Sequence, residues 1–380
     1  MDMIAAEVGC SGVPDTESAV REAFQRAQPA SGEPRVSFVF TTDAYEPAAV
    51  WRTMHVLAGP VPFVGFQCAG VLTREGVLLQ GIGIATVSGE FSVATVLETG
   101  LDRDAWGAGQ RAGKSLMRRA PEQGLAVLLP DGFAPGVYEV ARSLYSQMGP
   151  DLRYIGGASG DSLKWLRTCQ FTEVALQQNA LAAAVIGGCE VGTAIGHGWD
   201  PRGEPLVITR ARGKRVYEID GRPAFKVYSE KLGVEIPRES FRRISMANPL
   251  GFVDMSGNYV IRDPHAVNDD DSLDFVTEVP SEAVAQLMGG DVDGLVATAR
   301  TVAARAAGSV RSPRIALAFD CISRYVHLQE EYTRELQALV DGIGPDVPLL
   351  GALTFGEIGS FHEVPLFHNK AVAVAVLGSG

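Results

Sequence analysis

Positive charge, paired cysteines and long hydrophobic runs are all scarce in this chain of 380 residues, and each shortage excludes a class of function. Lysine and arginine number 33 against 45 aspartates and glutamates, a net charge of −12. Nucleic acid and anionic membrane surfaces both select basic faces, so neither is an expected partner. The two basic clusters, residues 210–215 and 238–243, are short and read as solvated faces. The longest apolar stretches, residues 180–188 and 371–377, fall well below the roughly 18 residues of a bilayer span, so no membrane helix is expected. The first ten residues have no basic segment and no apolar core, so no export signal is expected, and Glu7 argues against a lipid-modified Cys10.

Five cysteines, at positions 10, 68, 169, 189 and 321, show no metal-type pair spacing, and an odd count suits no disulfide framework. Reduced thiols in a cytoplasmic protein are the expectation. Six histidines, at 55, 197, 265, 327, 362 and 368, form no His-x-x-x-His or Cys–His pair, so neither a metal nor another cofactor is expected from spacing. No Ser–His–Asp set can be assembled from sequence. What remains is the profile of an ordinary globular protein, 46% apolar and 21% charged, and long enough for two domains to be the default.

Internal repetition is the strongest positive signal. The phrase Pro348-Leu-Leu-Gly-Ala-Leu-Thr-Phe-Gly-Glu-Ile-Gly-Ser-Phe361 is an apolar run that ends in a glycine-punctuated turn. Ile155-Gly156-Gly157-Ala158-Ser159-Gly160-Asp161 repeats it, and Val64-Gly65-Phe66-Gln67-Cys68-Ala69-Gly70 is a weaker copy without the acid. Ahead of each turn comes the same order of elements. Helical periodicity covers residues 17–27, 105–119 and 295–307, and apolar strands cover 36–40, 125–129 and 315–319, followed by Asp43, Asp131 and Asp320. Second helices follow at 47–57, 137–148 and 325–340, and β-like runs close each copy at 78–87, 182–186 and 371–377. Residues 76–97 read as a hairpin or meander turning at Ser88-Gly89. Residues 206–210 and 215–219 read as a hairpin, and 238–290 as irregular β pieces. The expected fold class is α/β, with mixed sheets built from three related αβαβ-turn-β units in two domains.

Ligands of such sheets sit outside the carboxyl ends of strands. Asp131, Asp320, Asp161 and Glu357 all follow apolar runs, and Ser159 and Thr354 sit in the turns. Amides over Gly156–Gly160, Gly156 and Gly157 among them, or over Gly351–Gly356 are placed to hold a ligand carboxylate, with Asp161 or Glu357 for an ammonium group. Arg324, just past a strand end, suits a carboxylate clamp or a surface pair with Glu330 or Glu331. Cys321, at a strand end near a helix start, is the one candidate nucleophile, against an inert buried thiol. The competing reading is that the glycines only turn the chain and the acids cap helices. The turns carry no Lys-Ser/Thr ending, so nucleotide chemistry is set aside.

The order of motifs resembles the FIST family of bacterial sensory modules. The matching pieces are Val8-Gly9-Cys10-Ser11 before a helix, the 155–161 turn, Asp220-Gly221-Arg222-Pro223-Ala224, Cys321-Ile322-Ser323-Arg324, and Thr354-Phe355-Gly356-Glu357-Ile358-Gly359. Together they span nearly the whole chain in family order. The resemblance implies a FIST N-terminal domain over residues 1–220, with two repeat units, and a FIST C-terminal domain over 221–380, with the β insert and the third unit. It implies a cytoplasmic sensor of a small polar ligand, an amino acid or similar metabolite. No kinase, cyclase or chemoreceptor module is attached, so output is expected to pass in trans to a signalling protein such as a histidine kinase or cyclase. One branch of the family resembles haem-dependent nitric-oxide sensors, for which His197 is the candidate axial ligand. A thiol enzyme using Cys321 is the third reading. On these expectations, Arg324→Ala and Asp161→Ala abolish ligand binding and leave the fold intact.

Overall fold

The computed structural model describes residues 4–254 and 257–379. Three units repeat one arrangement. The first runs edge strand Ala5–Ser11, helix Thr16–Arg26, central strand Pro34–Thr41, helix Pro47–Ala58, parallel strand Phe63–Gln67 and returning strand Ile82–Ser88. The second runs Ser92–Thr99, Leu101–Met117, Gly124–Pro130, Val137–Met148, Leu152–Gly157 and Ala180–Gly187. The third runs Glu190–Gly196, Val292–Gly308, Pro313–Cys321, Tyr332–Ile343, Leu349–Thr354 and Val372–Gly378. In each sheet the order is edge, returning, central, parallel. Local chemistry starts the helices where the sequence signals them: Asp15 and Asp291 accept the amides of Ser18 and Gly294, and Pro47 opens its helix behind Glu46.

The central strands are continuously apolar because both their faces are covered. Phe38 and Phe40, Leu125, Val127 and Leu129, and Ile315, Leu317 and Phe319 point into one core shared by the three sheets. The alternate residues face outer helices: Val39 in the first unit, Ala126 and Leu128 in the second, Ala316 and Ala318 in the third. The units therefore form a pseudo-threefold prism with helices outside.

Each parallel strand is followed by a short strand that crosses to a neighbouring sheet. Gly70–Thr73 pairs with Leu349–Thr354, Gln170–Thr172 with Phe63–Gln67, and Glu357–Gly359 with Leu152–Gly157. The exchange is cyclic: first to third, second to first, third to second. Hand-over between units is equally regular. The hairpin expected at Ser88-Gly89 does not form; Ile82–Ser88 and Ser92–Thr99 belong to different sheets, as do Ala180–Gly187 and Glu190–Gly196. The circle closes where Ile4 N–H donates to Ser379 Oγ at 3.0 Å.

The repeated glycine is a packing requirement. Gly65, Gly156 and Gly351 lie opposite Val39, Leu128 and Ala318 in matching register. A Cβ on Gly156 would sit 1.9 Å from the Leu128 carbonyl oxygen, and one on Gly65 would sit 2.2 Å from that of Val39. The same register shows that the three expected aspartates are not equivalent. Asp131 aligns with Thr42 and Cys321, while Asp320 aligns with Thr41 and Pro130.

The helix expected over 325–340 divides into Ile322–Leu328 and Tyr332–Ile343, with Gln329 between them at φ 51°. Residues 200–289 form an eight-stranded sheet with its own core of Leu206, Val216, Tyr228, Phe241 and Phe275, flanked by helices Ala224–Leu232 and Phe241–Met246. Strands Asp200–Arg212 and Arg215–Ile219 are its members, so the division at 220/221 runs through this sheet.

Candidate functional site

The three copied turns do meet. Ala158 N–H donates to the Gly356 carbonyl at 2.8 Å, Phe355 N–H to that of Ala158 at 3.0 Å, Ala69 N–H to Leu353 at 3.0 Å, and Gly160 N–H to Gln67 at 3.3 Å. These bonds consume the amides expected to receive a ligand. Gly156 and Gly157 are strand residues under the crossing strand, and Gly157 lies against Thr354 and Phe319.

Arg324 is the clearest correction. Its side chain is 0% exposed, with Nε 2.7 Å from Glu335 Oε1 and 3.3 Å from Asp320 Oδ1. The remaining guanidinium nitrogens donate to the carbonyls of His197, Lys370 and Leu295. Tyr332 Oη donates to Asp320 Oδ2 at 2.5 Å. Burial first, then the Glu335 carboxylate, pushes Asp320 well above the usual carboxylate range, while Arg324 opposes both. Arg324 and Asp320 form an internal pin, wholly buried, in which Asp320 Oδ1 and Glu335 Oε2 make no hydrogen bond among the described residues.

The acids of the second unit are also fully engaged. Asp131 accepts from Phe133 N at 3.0 Å, Thr168 Oγ1 at 3.0 Å and Asn179 N at 2.9 Å. Ser159 Oγ accepts from Gln170 Nε2 at 2.8 Å and bonds Thr168 Oγ1 at 2.5 Å. Asp161 accepts the consecutive amides of Lys164, Trp165 and Leu166. In the third unit Glu357 accepts from Thr354 Oγ1 at 2.8 Å and Ala371 N at 3.1 Å. Its burial pushes the carboxyl up to about 8, with Thr354 as the main opposing influence.

The open space lies beside this centre, where the insert meets the units. A narrow slot of about 60 Å³, open to solvent, is walled by Leu163 and Trp165 of the second unit, Arg242, Met246, Asp263 and His265 of the insert, and Cys321 and Phe355 of the third unit. The Phe355 ring lies tilted against Trp165 at 4.8 Å and edge-on to Phe133 at 5.5 Å, ring centre to ring centre. Arg242 is exposed, its guanidinium lies 5.9 Å from the Trp165 ring, and that guanidinium makes no hydrogen bond or ion pair among the described residues. Asp263 Oδ2 pairs with the buried Lys370 ammonium at 3.0 Å, while its buried Oδ1 makes no hydrogen bond among the described residues. Burial, then Arg242, lowers the pKa of His265.

Of the sequence-derived candidates only Cys321 lines this slot. Its Sγ lies 3.0 Å from Ser323 Oγ, and burial, then the Glu357 charge, raises its thiol far above the ordinary range. A neutral thiol is a poor nucleophile. Alkylation of Cys321 at neutral pH is therefore expected to run about tenfold or more slower than that of an unperturbed thiol, followed by mass spectrometry of the Cys321 peptide. Fast labelling would restore the enzyme reading. His197 does not fit an axial haem ligand. Its Nδ1 accepts from Trp199 N at 2.9 Å, its ring bonds the Tyr259 backbone, and burial holds it down at about 4. Among the described residues no group of three or more histidines, cysteines or acids is placed to hold a metal ion.

Arg242, Trp165, Phe355, Asp263 and Lys370 were missed. Arg242 lies in the basic cluster 238–243 and Phe355 in the 354–359 motif, yet neither position marks a site, and Lys370 occupies the position of Asn179 ahead of a returning strand, with the same left-handed backbone, φ 59° against 49°. The spacing Ala108 to Gly113-Lys114-Ser115 imitates a phosphate loop but lies inside helix Leu101–Met117, where Gly109 and Gly113 admit Ser143 and Gln147 of the adjacent helix.

Sequence profiles of the FIST N domain and the FIST C domain match residues 35–222 and 224–360. An uncharacterized protein of Methanocaldococcus jannaschii is 30% identical over 37% of this chain, and the match spans 30% of that protein. An uncharacterized protein of Mycobacterium tuberculosis is 24% identical over 97% of this chain and 98% of its own length. Among solved structures, a chorismatase superposes over 100% of this chain and 99% of its own with a TM-score of 0.41 and 9% identity. No helix among the described residues is long and apolar enough to cross a membrane.

Proposed function

The chain belongs to the FIST family, whose domains are sensory domains proposed to bind small ligands, and from that premise we propose that the slot between the second unit, the insert and the third unit is its receptor site. Its ligand is an amino acid with an apolar side chain. The observation that carries this reading is the Arg242 guanidinium, held over Trp165 at the slot with no ion pair among the described residues. Arg242 takes the carboxylate, Asp263 Oδ1 takes the ammonium, and Trp165 and Phe355 enclose the side chain.

Binding draws the insert and the loop carrying Trp165 together and shifts the population towards the closed arrangement. A separate signalling protein, such as a histidine kinase or a cyclase, reads that state. Five unpaired cysteines support a reducing compartment, the cytoplasm.

The test is a thermal-shift and calorimetric titration with L-phenylalanine and L-leucine. Arg242→Ala is expected to weaken binding by roughly 1.5–3 kcal/mol, about ten- to hundredfold in Kd, with the melting temperature of the free protein unchanged. Equal affinity in wild type and Arg242→Ala, or no binding of either amino acid, would remove this site.

A further inference from the structure

The loop of residues 161–167 has two faces, and the slot uses only one. Asp161 gathers three successive amides beneath the loop, and Leu163 and Trp165 adopt left-handed backbone at φ 60° and 57°. Side chains are thereby sent to opposite sides. Leu163 and Trp165 wall the aromatic slot, whereas Lys164, Leu166 and Arg167 wall a second hollow between the first and second units. That hollow holds about 1110 Å³ of empty volume and opens to solvent.

The acids around the hollow are satisfied. Asp43 is held by Lys164 Nζ at 2.7 Å and by Ser162, and Glu46 accepts the amides of Ala48 and Ala49. Two groups are not. Arg167 is exposed and makes no hydrogen bond or ion pair among the described residues. Gln67 is 95% buried, being 5% exposed, yet its carboxamide lines the hollow and bonds to nothing among the described residues. The residue is buried but its amide faces the hollow, where it offers a donor and an acceptor to a bound solute.

We infer that this hollow is a second ligand site, distinct from the aromatic slot, for a small carboxylate bearing a hydroxyl or ammonium group on the neighbouring carbon. Arg167 and the Gln67 amide N–H hold the carboxylate, and Gln67 Oε1 accepts from the adjacent donor. Because one loop walls both cavities, an occupant here moves the backbone that carries Trp165. The site therefore modulates the slot rather than duplicating it.

Propionate, L-lactate and L-alanine differ only in that neighbouring substituent and form the test set, titrated against the whole protein by thermal shift and by tryptophan fluorescence. L-Lactate or L-alanine is expected to bind about tenfold more tightly than propionate, the effect of one added hydrogen bond to a buried group. Arg167→Ala, and Ala44→Trp at an exposed position that fills the hollow, are expected to abolish binding while the free proteins melt as wild type does. Arg242→Ala is expected to leave it unchanged. The inference is overturned if none of the three acids binds at about 100 mM, if all three bind equally, if Arg167→Ala and Ala44→Trp bind as wild type does, or if Arg242→Ala alone loses binding. That last result would put the acids in the aromatic slot and leave the receptor proposal standing. If the hollow binds and the amino acids of the previous section do not, the opposite division holds.

Discussion

Arg324→Ala is expected to lose about 3–5 kcal/mol of folding stability, the cost of leaving buried carboxylates without their countercharge. The side chain is wholly interior and holds two acids from two segments of the third unit, Asp320 of the central strand and Glu335 of helix Tyr332–Ile343. It also ties the carbonyls of His197, Lys370 and Leu295, which belong to a loop before the insert, a strand entry and an outer helix. Removing the guanidinium unties all of these and leaves Glu335 and Asp320 facing each other in a dry interior. Urea denaturation followed by circular dichroism measures the loss. A variant as stable as wild type would show that the acids neutralise each other by sharing a proton and that the arginine is dispensable. Arg324→Lys is expected to fail as well, because a single ammonium cannot reproduce a fork that reaches two carboxylates and three carbonyls.

The second large effect concerns pH. Glu357 keeps its proton in the folded protein up to about 8, whereas the unfolded chain releases it near 4.5. Between those values the folded state holds a proton that the unfolded state has lost, so stability falls as pH rises, by about 1.4 kcal/mol per unit at most, and levels off above about 8. Asp131, Asp263 and Asp320 are also raised, each with burial as the first cause, and add in the same direction. The contribution of Glu357 is isolated by Glu357→Gln. Gln170 occupies the equivalent position in the second unit, accepts the amide of Ala180 and donates to Ser159. A glutamine at 357 can make the same two bonds, to Ala371 and Thr354. The variant is expected to match or exceed wild type at pH 8 by several kcal/mol, with a correspondingly flatter profile between about 5 and 8. Parallel profiles for the two proteins would show that Glu357 is ionised in the folded state.

The sequence disclosed the elements better than their partners. Helix Val137–Met148, bounded by Gly136 and Gly149, and the apolar central strands were legible because each carries its own periodicity. The crossing strands were not, since Glu357–Gly359 has three residues and pairs with a strand some two hundred positions earlier. Ser88-Gly89 looked like a hairpin turn because local chemistry cannot say whether the next strand returns to the same sheet. Arg324 looked accessible because a residue just past a strand usually is; the segments that cover it are remote in sequence. The slot was invisible for the same reason. Trp165, Arg242 and Phe355 come from three segments, and none has a spacing that marks it.

The cyclic exchange of short strands has a consequence for how this molecule can come apart. Every unit lends a ribbon to one neighbour and borrows one from the other, so a fragment ending near residue 222 would leave Gly70–Thr73 without its template and Leu152–Gly157 with a bare edge. The two family domains, residues 35–222 and 224–360, therefore share strands across their boundary, and a single cooperative unfolding transition is expected for the whole chain.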